Sequence, residues 1–183
     1  MFFLYHNTMK TLIVYYSFEG NCAFIAEKIK AAISERNFSS QKTTWGEIPE
    51  TTLLRLIPEG DEKKRTKVGG FFWATQQMFF AKKPRLKPFS VDISDYDLII
   101  LGTPVWAWSY APAMASFLTA AKITGKKIAL FCCHGGGKGK TMQKLKSALA
   151  GNNFAGEIDF KEPLKQPAGV KERLDIWLKG VLA

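Results

Sequence analysis

Three short stretches of this chain combine residue types that can hold a ligand. The first, Ser17-Phe18-Glu19-Gly20-Asn21-Cys22, follows an aliphatic run and opens directly into a helical period. Free backbone N–H groups and the positive end of a helix favour a phosphate there, although the stretch has no Lys or Arg. The second, Thr103-Pro104-Val105-Trp106-Ala107-Trp108-Ser109-Tyr110, carries three large aromatics. In a loop they are available to stack on a planar ring; otherwise they close the core or a dimer contact. The third, His134-Gly135-Gly136-Gly137, lets the backbone approach a ligand closely, because three consecutive residues lack a Cβ. Lys138-Gly139-Lys140-Thr141 follows, so residues 134–141 nearly match the phosphate loop of NTPases, with His134 where the first Gly belongs. The missing Gly, and the lack of an evident acidic magnesium ligand ending another buried strand, count against an NTPase.

These stretches must be positioned by regular elements, and the apolar pattern supplies them. Residues 12–16, 52–57, 98–101 and 128–133 are short, aliphatic and largely unalternating, as strands buried on both faces are; 157–160 is a weaker fifth. Between them run helical periods through Cys22, Ile25, Ile29 and Ile33; through Met114, Phe117, Leu118 and Ala121; through Met142, Leu145 and Leu149; and through Val170, Leu174, Trp177 and Leu178. Asn21 suits a helix cap, Pro112 a first helical turn and Gly151 a terminator. Strands alternating with helices predict an α/β fold with a doubly wound, five-stranded parallel sheet between two helical layers. Right-handed crossovers bring the loops after 12–16, 98–101 and 128–133 to one edge of that sheet.

The chain has 183 residues, enough for one domain, expected over 10–183 with residues 1–9 as an extension in which Met9 is a second candidate start. Residues 58–88 fit the alternation least. They carry the basic run Lys63, Lys64, Arg65 and Lys67 and the aromatic block Phe71, Phe72, Trp73, Met78, Phe79 and Phe80. That block is expected to cap a ligand or form a homodimer face, ahead of membrane contact. Residues 98–121 hold no charge, yet Gly102, Pro104 and Pro112 interrupt them, so no membrane span is expected. Three cysteines without a CxxC pair fit a reducing, cytoplasmic setting. The formal charge of +10 calls for an acidic partner or an anionic ligand. Nucleic acid is the competing reading, but no reader motif interleaves the basic residues with aromatics, so none is expected.

Taken together, TLIVYYSFEGNC, YDLIILGTPVWAWSYAPAM and FCCHGGGKGK resemble the three cofactor-binding loops of the flavodoxin family, and the likeness extends over about residues 10–183. It is closest to short FMN-binding flavodoxin-like proteins of anaerobic prokaryotes. The resemblance implies strand order 2-1-3-4-5 and FMN as the cofactor. By motif match, Ser17, Asn21 and the backbone of residues 18–22 would hold the FMN phosphate. Trp106 and Trp108, in the loop with Thr103, Pro104, Val105 and Ala107, would flank the ring, and the backbone of Cys133, His134, Gly135, Gly136 and Gly137 would meet its pyrimidine edge. No side chain is required as a catalyst and no metal is implied. The implied function is electron transfer or NAD(P)H-linked reduction of a quinone or similar small acceptor, with an acidic redox partner or an anionic substrate such as NAD(P)H.

This sequence departs from the family pattern in three places. Cys22 stands where Thr is usual and Glu19 where a hydroxyl is common; Glu19 is expected to point outward while its N–H binds. The loop 103–111 contains no Gly, whereas electron carriers commonly use a flexible Gly peptide there, so this reading leans toward two-electron chemistry. His134 is weighed as a donor to the flavin or proton relay against a plain loop filler. Cys22, at a helix N-terminus, is expected to have a lowered thiol pKa, with a tight-turn role as the alternative. Cys132 and Cys133 are adjacent in a strand and so fill opposite faces of the core. The phosphate is held by neutral groups in this reading, leaving the positive charge outside the site.

Overall fold

Aliphatic runs that do not alternate with polar residues avoid water only when both faces of the strand are covered. In the computed structural model, which describes residues 9–40, 50–60 and 83–183, they form the centre of a parallel sheet. The strands are β1 (Thr11–Tyr15), β2 (Thr51–Arg55), β3 (Leu98–Trp106), β4 (Ser109–Tyr110), β5 (Lys127–His134) and β6 (Asn153–Lys161). The helices are α1 (Asn21–Ser40), α2 (Pro112–Ala121), α3 (Thr141–Ala148) and α4 (Val170–Val181). The sheet order is β2-β1-β3-β5-β6, all parallel, with the two-residue β4 antiparallel on β3. Leaving out β4, this is the expected order 2-1-3-4-5.

Neighbouring residues of each central strand serve opposite layers. Ile13, Ile100 and Phe131 pack beneath Ile25 and Ile29 of α1 and Leu174 and Leu178 of α4. Val14, Ile99 and Leu130 pack beneath Met114 and Phe117 of α2 and Met142 and Leu145 of α3. Each fully buried side chain of this size contributes about 1.5–3 kcal/mol, which makes these strands the rigid platform for the loops at their C-terminal ends. Cys132 and Cys133 fall on opposite sides of β5, as their adjacency requires.

The structure departs from the sequence expectation in four places. β3 does not stop at residue 101: Thr103 and Pro104 continue the pairing with Cys132 and Cys133 of β5. The Thr103 hydroxyl accepts from the Ala111 N–H at 3.0 Å and ties down the returning chain. Second, residues 103–110 are a β-hairpin and not an open loop. Ala107 and Trp108 form its two-residue turn with φ of 46° and 56°, the mirror-image turn whose twist matches that of the flanking strands. Third, β6 is nine residues long where four were expected, because a register shift opposite Ile128 and Ala129 breaks its alternation. Fourth, Asn21 is not the cap of α1: the Gly20 carbonyl accepts the first helical bond, from the Phe24 N–H at 2.9 Å, so Asn21 is the first helical residue.

Pro112 does open α2, and Gly151, at φ 88°, follows α3. The Glu59 N–H donates to Arg85 O and the Lys87 N–H to Ile57 O, both at 2.8 Å, pinning the ends of the 58–88 segment together. Its basic run and aromatic block, like residues 1–8, lie outside the described residues. Among the described residues no helix is long and apolar enough to cross a membrane.

Candidate functional site

The first loop begins where β1 ends. The Tyr16 N–H donates to Gly102 O at 3.1 Å as the chain turns toward α1. Ser17 is 2% exposed, and among the described residues nothing hydrogen-bonds its Oγ. A buried hydroxyl left unpaired costs about 1–3 kcal/mol, which a ligand oxygen at this spot would recover. Glu19 is exposed, as expected of a carboxylate beside a phosphate site. Gly20 has φ 92°, and a Cβ there would lie 3.2 Å from the Leu164 side chain.

That contact reveals a covering segment the sequence did not suggest. Residues 162–166, between β6 and α4, lie over the first loop: the Leu164 N–H donates to Asn21 Oδ1 at 3.2 Å, and the Glu162 N–H to His134 O at 2.9 Å. The Asn21 side chain is thereby committed to the cover, leaving its backbone N–H for a phosphate. Arg55, at the end of β2, donates from Nη2 to Ser17 O at 3.4 Å.

Aromatic residues join the first loop to the hairpin. Trp106 meets Tyr16 edge-on, with ring centroids 5.7 Å apart and planes at 88°, and Phe18 likewise at 5.9 Å and 81°. Thr103 is fully buried, while Pro104, Val105 and Trp106 are half-buried. Trp108 is different: it is 74% exposed, on the turn, and packs beside Gly139, where an added Cβ would stand 2.9 Å from Trp108 Cβ and Cδ1. The two tryptophans therefore play unequal parts, one in an aromatic wall and one on an exposed tip.

In the third loop Cys133 belongs to the core, but an added Cβ at Gly135, Gly136 or Gly137 would meet no atom within 4 Å, so this backbone is open to a ligand. His134 is anchored. Its Nε2 lies 3.0 Å from Asp159 Oδ2, and Lys138 Nζ is 3.3 Å from Asp159 Oδ1. Burial alone would raise the Asp159 carboxyl, but hydrogen bonds from His134 and Lys138 outweigh it and hold the group below its ordinary range. Glu157 completes the network, with Lys146 at 2.6 Å and Lys138 at 3.9 Å. Lys138 is thus committed to β6 carboxylates.

The expectation for Cys22 is overturned. The helix N-terminus would lower its pKa, but the thiol is 1% exposed, and burial, followed by a hydrogen bond with the Cys133 thiol, pushes it well up. Desolvation acts on the whole ionised charge, whereas a helix end offers only about half a unit charge. Cys132 is raised by burial as well. Among the described residues no three His, Cys, Asp or Glu side chains gather as a metal site.

Arg55, Asp159 and Leu164 were not anticipated. Glu157 and Asp159, two apart in the weak fifth strand, were a legible sign of a charged strand face; nothing local marked Arg55 or Leu164. The assembled edge fits FMN: a buried hydroxyl without a partner among the described residues and helix N–H groups for the phosphate, an aromatic wall for the ring, and an open glycine backbone for its polar edge.

The family model described as Flavodoxin matches residues 10–178. A flavoprotein from Lactobacillus acidophilus NCFM, solved in complex with FMN, is 24% identical, with TM-score 0.62 over 86% of this chain and 97% of its own. Two-electron reduced Megasphaera elsdenii flavodoxin is 22% identical, with TM-score 0.57 over 92% and 98%. A flavodoxin from the domain Archaea is 17% identical, with TM-score 0.53 over 96% and 100%. No curated protein matches the chain in sequence.

Proposed function

Since the chain belongs to the flavodoxin family, we propose that it is an FMN-dependent redox protein that passes electrons from NAD(P)H to a quinone or similar small planar acceptor. The cofactor is FMN, which when bound would supply the two-electron redox chemistry. The protein's part is binding and orientation. Ser17 and the N–H groups of residues 18–22 would hold the phosphate, Trp106 with Phe18 would wall the ring, and the backbone of residues 135–137 would meet its polar edge.

The observation that carries the reductase reading is Trp108, 74% exposed on a tight turn beside Gly139, two residues past the open glycines. A large ring held in water at the ligand edge gives a planar acceptor a stacking surface. The net charge of +10 supports an anionic reductant. A carrier docking onto an acidic partner protein is the second reading, favoured by that same charge. The assay is steady-state NAD(P)H oxidation with a quinone, using FMN-loaded protein alone. Turnover is expected; activity only after a separate reductase is added would establish the carrier.

A further inference from the structure

The first loop has no Lys or Arg of its own, yet a phosphate dianion with only dipoles and a hydroxyl around it stays uncompensated in charge. The sheet topology brings in a cation from another strand. β2 lies beside β1 in parallel register, with Arg55 paired to Tyr15, so the last residue of β2 stands next to the start of the first loop. Arg55 Nη2 donates to the Ser17 carbonyl at 3.4 Å, on the same residue whose buried Oγ has no partner among the described residues.

We infer that Arg55 is the electrostatic counter-ion of the ligand phosphate, a binding residue that sets the preference for phosphorylated over unphosphorylated flavin; this rests on the FMN reading above.

Four observations support it. Among the described residues no carboxylate lies within ion-pair distance of Arg55, and its one hydrogen bond there goes to the neutral carbonyl of Ser17. The other charges at this corner are arranged differently: Glu19 is exposed, and Lys165 is paired with Glu162. Glu27 of α1 and Arg55 act on Tyr15 in opposite senses, yet the two are not paired with each other. Finally, the hydrogen bond to Ser17 O uses one of five guanidinium N–H donors. It orients the group against the loop and leaves the charge available, which an ammonium on a flexible stem does less well.

The test compares two ligands that differ only in the phosphate. Kd values for FMN and riboflavin are measured by flavin fluorescence quenching with wild type, Arg55→Gln and Arg55→Lys. Gln retains an N–H donor for Ser17 O but no charge. The expected result is an FMN affinity about tenfold weaker in R55Q, riboflavin affinity unchanged, intermediate loss in R55K, and a shallower dependence of FMN affinity on salt. Equal losses for both ligands would make Arg55 a scaffold for the loop and overturn the inference, as would no loss for either. A wild-type protein that binds neither ligand would overturn the flavin reading itself and the arginine's role with it. Thermal unfolding of each variant guards against misfolding, and a variant that loses riboflavin binding together with stability counts against the inference.

Discussion

Gly102 is the position where a single methyl group tests the whole arrangement of the ligand edge. It sits in the middle of β3, and a Cβ built there would fall 2.0, 2.3 and 2.6 Å from three atoms of the Phe131 ring on β5. Ordinary contact starts at 3.4 Å, so the ring would have to retreat by more than an ångström. Phe131 is fully buried between α1, α4 and the sheet and has little room to do so. Gly102 is not among the residues with positive φ, so alanine strains no backbone and the clash is the whole effect. Overpacking of this kind typically costs about 1–3 kcal/mol, and three ring atoms inside 3.0 Å put Gly102→Ala near the top, about 3 kcal/mol. Phe131→Leu alone should cost about 1–1.5 kcal/mol, as the lost part of a large-to-small change. In the double variant the clash is gone and the cost should be about 1–2 kcal/mol, well short of the sum. Urea unfolding of the four proteins followed by circular dichroism gives this cycle directly. Additivity within about 0.5 kcal/mol would show that Phe131 is not what excludes a side chain at 102, and the reasoning would fail. Because Gly102 O accepts the Tyr16 N–H that launches the first loop, Gly102→Ala should weaken FMN binding as well.

Other expectations follow from the same geometry. Ser17→Ala removes a buried hydroxyl with no partner among the described residues, so apo-protein stability should stay level or rise slightly while FMN affinity falls about tenfold, read by calorimetry. Asp159 has a depressed folded-state pKa, so its contribution is present above the unfolded carboxylate value near 3.8 and is lost as pH falls through the lower folded value. Asp159→Asn should accordingly cost about 1 kcal/mol at pH 7 and flatten the loss of stability below about pH 4, measured by urea unfolding across pH. Cys22 and Cys132, with raised thiol pKa values, should resist iodoacetamide at pH 7 in the folded protein and react after unfolding, as mass spectrometry would show. Gly139→Ala would press a methyl against Trp108 at 2.9 Å from a backbone of φ 52°, so it should shift tryptophan emission and destabilise by about 1–2 kcal/mol.

Much of this molecule was legible before any coordinates, for a definite reason. The strands at residues 12–16, 98–101 and 128–133 are buried on both faces, and nothing but an unbroken aliphatic run meets that requirement, so local composition marks them. The helical faces through Ile25, Phe117, Leu145 and Leu174 follow equally from a period of 3.6, and all four side chains are buried. Alternation of strand and helix then brings the three loops to one edge whatever their details. The tertiary structure decided what happens where charges and backbone are shared between distant segments. Burial sets the thiol of Cys22 against the helix end that would have activated it. The turn at Ala107 and Trp108 takes a left-handed conformation that neither residue prefers, because the strands on either side impose the twist. Arg55 reaches Ser17 across 38 positions, and His134 meets Asp159 across 25, because parallel register places strand ends side by side. Residue types and periods describe what a segment needs to bury; which charge stands beside which loop depends on register between strands, and register is a property of the folded sheet.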